Sequence, residues 1–390
     1  MGIAMGLDAH VIDGVAPRSV IRATNEADVI DAIRGANERA DAIVVSGGAT
    51  RLGVGDPPAR YDAVLDLSAL RGIVEYEPGD LVATVRAGTT LAELAEALAP
   101  RGQSWPVEPG LPERATVGGT LASAAGGPSR LRYFHPRDWV IGARVVLGDG
   151  TPVRSGGRVV KNVTGYDLTR LWSGTFGTLV AIVELTLKLT AIPERTVSLV
   201  AEVDVPAALQ IANDLHASGL PLDALAVVTG EAVGALDARG EAALLVRLTG
   251  PAAAVRRLGR EIRERVRCHD VANEAWDRVA ALPLGAKWTA RVAWPAATRP
   301  AIQFGGYPAV IYPANSTAYL LRSIDRATFG KVRTSLEAAG GIAVLERASA
   351  EYKREAGGAW GAPRVPLGIA RALKQRFDPR GVLAPGRMPA

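Results

Sequence analysis

Four glycine-rich segments crowd the stretch between Val45 and Leu179, and they constrain the fold more than any other feature of this sequence. The first, Val45-Ser46-Gly47-Gly48-Ala49-Thr50-Arg51-Leu52-Gly53, follows an apolar run, Ala42–Val45, that reads as a buried strand. Consecutive glycines permit positive φ, so neighbouring amide N–H groups can converge into a nest for an anion. Thr50 adds a hydroxyl and Arg51 a cation. No Gly-Lys-Ser/Thr follows, which excludes a nucleoside-triphosphate P-loop. Gly55-Asp56-Pro57-Pro58 continues the loop where a helix should open, which excludes a Rossmann fingerprint. By itself this loop reads first as a tight turn and second as a phosphate cradle.

The second segment joins Pro109-Gly110-Leu111-Pro112 to the run Thr116-Val117-Gly118-Gly119-Thr120-Leu121-Ala122-Ser123-Ala124-Ala125-Gly126-Gly127. A helix of such small residues lets a large planar ligand press against its backbone, and its N-terminus favours an anion. The alternative is a helix packed tightly against a sheet. The third segment is Asn162-Val163-Thr164-Gly165-Tyr166-Asp167-Leu168. The fourth, Gly174-Thr175-Phe176-Gly177-Thr178-Leu179, leads into a long apolar strand, Thr178–Leu189. Four such loops at element ends would be costly in chain entropy if they bound nothing. Together they imply a large phosphorylated ligand.

The rest of the first half alternates short strands with small helices. A helix is expected over Asn25–Arg39, and strands over Ala63–Leu67, Ile73–Tyr76 and Val82–Ala87, spaced as a meander. Thr90 and Glu93 form a capping box that opens a helix running to Ala99, and a strand is expected at Trp139–Leu147. Past Ile192–Glu194 the glycine-rich character stops. Helices are expected at Pro206–Ser218, Pro251–Arg267 and Arg326–Ala339, with strands at Val197–Val203, Ala243–Thr249, Ala309–Tyr312, Ala318–Arg322 and Ile342–Glu346. A Gly/Pro-rich connector, Gly357–Pro363, precedes a basic helix, Val365–Phe377. The fold class expected is therefore α+β, divided into residues 1–194, residues 195–356 and a C-terminal segment, residues 357–390.

With 390 residues the chain is long enough for two or three domains. Its net charge of +5 is spread among carboxylates and forms no stripe, so no nucleic-acid partner is expected. Cys268, the sole cysteine, rules out an internal disulfide, a Cys-ligated iron–sulfur cluster and a Cys-based zinc site, and no metal site is expected. No stretch reaches the ~18 apolar residues needed to span a bilayer. Residues 1–11 do not read as a secretory signal, so the expected location is cytoplasmic, with membrane association only through partner subunits.

The order of these loops resembles the FAD-binding domain of the p-cresol methylhydroxylase/vanillyl-alcohol oxidase type over Val15–Leu189. A narrower resemblance is to the FAD-binding subunit of bacterial glycolate oxidase. It is carried by Asp66–Pro78, Ala87-Gly88-Thr89-Thr90-Leu91, Arg137–Gly142, Gly157–Asp167 and the closing Phe377-Asp378-Pro379-Arg380-Gly381-Val382-Leu383-Ala384-Pro385-Gly386-Arg387-Met388. The resemblance implies a two-subdomain FAD domain, a smaller α+β cap and a tail returning to the FAD domain. It implies FAD contacts from Ser46, Gly47, Gly48, Ala49, Thr50, Arg51, Pro109, Gly110, Thr116, Gly118, Gly119, Ala122, Ser123, Gly126, Arg137, Asp138, Gly165, Gly177, Thr178 and Ile182. It further implies a second, catalytic flavoprotein and an iron–sulfur subunit as partners, and a small 2-hydroxy acid as the substrate of the complex. Ala49 and Thr50 stand where covalently flavinylated relatives carry His, so FAD is expected to be noncovalent. Val180 replaces a usual Gly, and Ala384 a usual Asn.

Oxidation of a 2-hydroxy acid needs a base for the hydroxyl proton and cations for the carboxylate. Catalytic members of the superfamily carry a His-rich segment, His-x-Gly-Asp-Gly-Asn-x-His, which is absent here, so no catalytic residue is assigned. Of the four histidines, only His135 stands near a flavin motif; His269, beside Cys268, reads as a surface strand residue. Lys287 and Arg291 would share a face and could hold an anion, or simply be solvated. Trp105, Trp139 and Trp172 read as core or flavin-shielding aromatics. Arg371, Lys374, Arg376 and Arg380 could meet an acidic partner or form a solvated face.

Overall fold

The computed structural model describes residues 7–157, 167–296, 307–363 and 366–389. Asn25 opens the first long helix, Glu26–Arg39: its side chain accepts from Asp28 N (3.0 Å) while the Asp28 carboxylate accepts from Asn25 N (3.3 Å), a reciprocal cap. Ala40, at φ +57, ends it. Beside this helix lies a small parallel sheet in the order Ser19–Arg22, Ala63–Asp66, Ile43–Ser46. The meander expected from spacing is thus not formed. Ala63–Asp66 pairs in the parallel sheet, whereas Ile73–Glu77 and Val82–Arg86 open a second, antiparallel sheet. That sheet continues through Val180–Lys188, Val140–Leu147 and Pro152–Gly156. Short strand spacing alone does not say which neighbour a strand will choose.

The antiparallel sheet is buried on both faces. One face contributes Val146, Ala181 and Val183 to a core shared with Val29, Ile33 and Leu65. The other packs Val85, Leu185 and Leu187 against Leu94, Leu98 and Leu121 from short helices. Trp105 and Trp172 belong to this second core, with Trp139 packed against it; all three are structural aromatics. The helix Leu91–Leu98 starts at the capping box of Thr90 and Glu93, as the sequence implies.

The second half builds one eight-stranded antiparallel sheet. Its order is His269–Val271, Arg195–Val203, Ala242–Gly250, Ala224–Thr229, Ala309–Tyr312, Thr317–Leu320, Thr289–Ala293, Ile342–Arg347. Helices Val205–Ala217, Ala252–Arg265 and Arg326–Ala338 cover one face, burying Leu215, Ile262 and Phe329. Period-two alternation then decides what the opposite face carries. Because Val246, Leu248, Ala290, Val292, Ile311, Ala343 and Leu345 enter the helix-covered core, Arg247, Arg291, Tyr312 and Glu346 point the other way, toward the first half of the chain. On that side Arg247 forks onto Glu108 (2.7 and 3.0 Å) and also reaches Asp223 (2.5 Å), tying the sheet to the loop before Pro109.

The chain end crosses back. Ile43 N donates to Val382 O (2.8 Å) and Ala384 N to Ile43 O (2.7 Å), so Leu383 runs alongside the first buried strand. Ala384 lies at φ +44, a left-handed conformation that Asn tolerates better than Ala. Lys374 is not part of a partner-facing surface, because its Nζ donates to Thr178 O, Leu383 O and Asp378 Oδ2 (2.6–2.7 Å). Arg371, Arg376 and Arg380 are exposed.

Candidate functional site

The strand Ile43–Ser46 ends in the first glycine loop, and that loop is shaped by close approach. A Cβ on Gly48 would collide with the Arg114 carbonyl oxygen, and one on Gly47 with the Thr116 hydroxyl. Ala49 sits at φ +54. Among the described residues, none of the amides of Gly47, Gly48, Ala49, Thr50 and Arg51 donates to another protein group. Successive unpaired amides in a tight loop form an anion cradle. Arg387, buried in the returning tail, braces the far side by donating to the carbonyls of Leu52, Val54 and Asp56 (the last at 2.9 Å).

The small-residue segment forms the opposite wall. Thr116 caps it by accepting from Gly119 N (3.2 Å), and Gly118 N donates to Ala87 O (2.9 Å). A Cβ on Gly118 would strike Ala87, so only glycine permits this contact. The helix is shorter than the sequence suggests: it spans Val117–Ala122 and stops at Ser123, whose hydroxyl donates to Gly119 O (2.7 Å). Ala124, at φ +51, and Gly127, at φ +77, turn the chain away. Glycine-rich helices propagate poorly, and here the residues that would have extended the helix become a bend.

Between these walls lies a cleft in two parts that share Arg51, Ser123 and Phe176. The inner part is lined by Ser46, Gly47, Gly48, Ala49, Thr50, Arg51, Thr116, Gly118, Gly119, Ala122, Ser123, Gly177 and Ile182, which the sequence singles out. Leu52, Leu67, Ala87, Phe176, Val180 and Arg387 also line it. The open amides, held in a loop that the close contacts of Gly47 and Gly48 draw against Thr116 and Arg114, fit a pyrophosphate-bearing ligand. The outer part brings Pro109 and Gly126 together with Arg130, His135, Arg291, Tyr312, Tyr319 and Glu346. Gly110 lies aside, packed on Ala280. Arg137, Asp138 and Thr178 line neither part. Arg137 is exposed, Asp138 accepts from His135 N (3.1 Å), and the Thr178 hydroxyl donates to Thr175 O (2.7 Å). Gly165 lies outside the described residues.

Charge in the outer part is unevenly paired. Glu346 takes Arg291 (2.7 Å) and Arg51 (3.5 Å), and Arg51 also reaches Pro109 O (3.0 Å). Burial opposes the charge of Arg291, but the Glu346 carboxylate more than restores it, and its pKa moves up. Lys287 takes no part: it is exposed and lies in the bend before Thr289–Ala293, the strand that carries Arg291. Burial raises the pKa of both Tyr312 and Tyr319.

His135 lies beside Arg130, whose guanidinium is 3.2 Å from its Nε2. Because the guanidinium can only donate, Nε2 accepts and the ring is neutral. Burial, then Arg130 and Arg137, lower its pKa to about 4. Unfolding restores a value near ~6.5, so the unfolded chain binds more protons between those limits, and stability falls as pH drops through that window. Partial solvent screening holds this contribution to about 1–2 kcal/mol. Accordingly, His135→Gln should lose less stability than the parent between neutral and acidic pH, read as denaturant midpoints at both; parallel losses would contradict the assignment.

Comparison with known proteins fits this geometry. A family profile described as an FAD binding domain matches residues 17–156. Glycolate oxidase subunit GlcE of Escherichia coli (strain K12) is 31% identical over 359 residues, covering 89% of this chain and 92% of that protein. Glycolate oxidase subunit GlcD of Bacillus subtilis (strain 168) is 32% identical over 250 residues, 62% of this chain and 53% of GlcD. Among solved structures, substrate-bound p-cresol methylhydroxylase superposes with a TM-score of 0.68 at 17% identity, covering 94% of this chain and 88% of that one.

Proposed function

The chain belongs to the glycolate oxidase GlcE family of FAD-binding oxidoreductases, and from that premise we propose that it is the FAD-binding, electron-transferring subunit of a complex that oxidises small 2-hydroxy acids. The cofactor is FAD, held without a covalent bond. Its pyrophosphate would lie on the amides of residues 47–51, with the segment 117–127 beside its ring system. Residues 1–194 serve as the FAD unit, residues 195–356 as the cap, and residues 357–390 as the segment that closes back on the cradle. The observation that carries this reading is the cradle itself: five successive amides without a protein partner among the described residues, in a loop whose Gly47 and Gly48 cannot be substituted without collision.

Bound FAD supplies the redox chemistry; the chain binds, orients and shields it. The partners are a second, catalytic flavoprotein and an iron–sulfur subunit. A division of labour of this kind is supported by His135. With a pKa near 4 it is a weak acceptor for a hydroxyl proton at neutral pH. The second reading is a self-sufficient dehydrogenase of another hydroxy acid, alcohol or sugar, favoured by relatives such as the D-lactate dehydrogenase of Archaeoglobus fulgidus (36% identical over 180 residues). Among the described residues no helix is long and apolar enough to cross a membrane.

Anaerobic addition of glycolate to the isolated, flavin-loaded chain separates the two. The flavin should stay oxidised; bleaching within the time of a catalytic turnover would favour the second reading.

A further inference from the structure

We propose that Arg130 is the seat of a small carboxylate ligand in the outer part of the cleft, so that this chain itself binds a 2-hydroxy or 2-oxo acid even where a partner does the oxidising. The inference rests on the FAD reading above, because it places the ligand in the same cleft as the flavin.

Among the described residues, three guanidinium groups line the outer cleft, from Arg51, Arg130 and Arg291, and the only carboxylate is that of Glu346. Glu346 is already shared by Arg51 and Arg291. Arg130 is left, among the described residues, with no carboxylate partner and a single hydrogen bond, to the neutral ring of His135. It is half-buried, and its stem passes over Gly126, where an added Cβ would stand 3.3 Å from Arg130 Cδ. A cation held in a partly desolvated cleft without a counter-ion is an electrostatic vacancy, and burial correspondingly lowers its pKa, with Arg291 and Arg137 adding to the effect. A carboxylate fills that vacancy with two parallel hydrogen bonds. His135 Nε2 is already occupied by Arg130, so the ring stays fixed as a neutral wall. Tyr312 and Tyr319, with pKa values raised by burial, remain protonated and can meet a hydroxyl or oxo group beside the carboxylate.

The test uses oxalate, a redox-inert short acid, and oxamide, its uncharged isostere. Oxalate should perturb the visible spectrum of the flavin-loaded chain saturably and raise its unfolding temperature, while oxamide should do neither. Arg130→Gln should raise the Kd for oxalate at least tenfold with flavin content unchanged. Should Gln weaken the fold, Arg130→Lys, which keeps the charge but loses the fork, should still bind several-fold more weakly than the parent. Absence of an oxalate response in the flavin-loaded parent overturns the inference and leaves the FAD reading standing. Equal Kd values for parent and Arg130→Gln overturn it too, including the case where the variant instead shifts the flavin potential, which would pair Arg130 with reduced flavin. If the purified chain holds no flavin, the FAD reading fails, and the unfolding-temperature response still decides whether Arg130 binds the acid.

Discussion

Gly48→Asp is expected to yield a chain without flavin. The new Cβ would occupy the position of the Arg114 carbonyl oxygen, so either the loop or residue 114 must move. Overpacking of this kind costs about 1–3 kcal/mol, and the displaced loop no longer aims its amides at one point. The added carboxylate also puts a negative charge on the loop whose amides would hold the pyrophosphate, which opposes anion binding. Gly48→Ala separates the two effects: it carries the collision without the charge, and should weaken FAD binding without abolishing it. Flavin content after purification, read alongside the unfolding temperature, checks both. Normal flavin in a folded Gly48→Asp chain would contradict the assignment of this loop.

Lys353→Met should be the most damaging single substitution outside the cleft. Lys353 is fully buried, and its Nζ donates to Asp13 Oδ2 (2.8 Å), Gly53 O (2.6 Å) and Gly55 O (2.9 Å). It thereby fixes the end of the cradle loop from a helix in the second half of the chain, Ala350–Glu355. Methionine fills the space but leaves Asp13 buried without a counter-ion and two carbonyls without a donor. Breaking a buried pair in this way costs about 3–5 kcal/mol. Adding Asp13→Asn removes the stranded charge and should recover part of the loss, measured as the coupling between the two sites in denaturant unfolding. Strictly additive losses would show that the pair does not act as a unit.

Local chemistry was legible in the sequence where it is read within a few residues. The capping boxes at Asn25 and Thr90, the strand at Ala309–Tyr312 and the glycine cradle at Ser46–Arg51 all depend on neighbours in the chain. Pairing choice was not legible: nothing in Ala63–Asp66 says that it joins a parallel sheet instead of its antiparallel successor. The outer cleft was the least visible part. Tyr312, Tyr319 and Glu346 come from three strands of one sheet and carry no motif. The available signal was a polar residue placed in alternation with buried apolar ones, as with Glu346 after Leu345, which marks a strand face turned toward something other than the core. The sequence marks His135 by its place near a flavin motif and Arg291 by its spacing from Lys287, but not the contacts to Arg130 and Glu346 that give them meaning.

In the proposed role, the cradle and the small-residue turn hold FAD without a covalent bond. The most direct measurement is to purify the chain, record its visible absorption, and denature it before filtration. The purified protein should be yellow, release equimolar FAD into the filtrate and leave a colourless chain behind. A chain that is colourless as purified and takes up no added FAD would contradict it, as would flavin that stays with the denatured polypeptide.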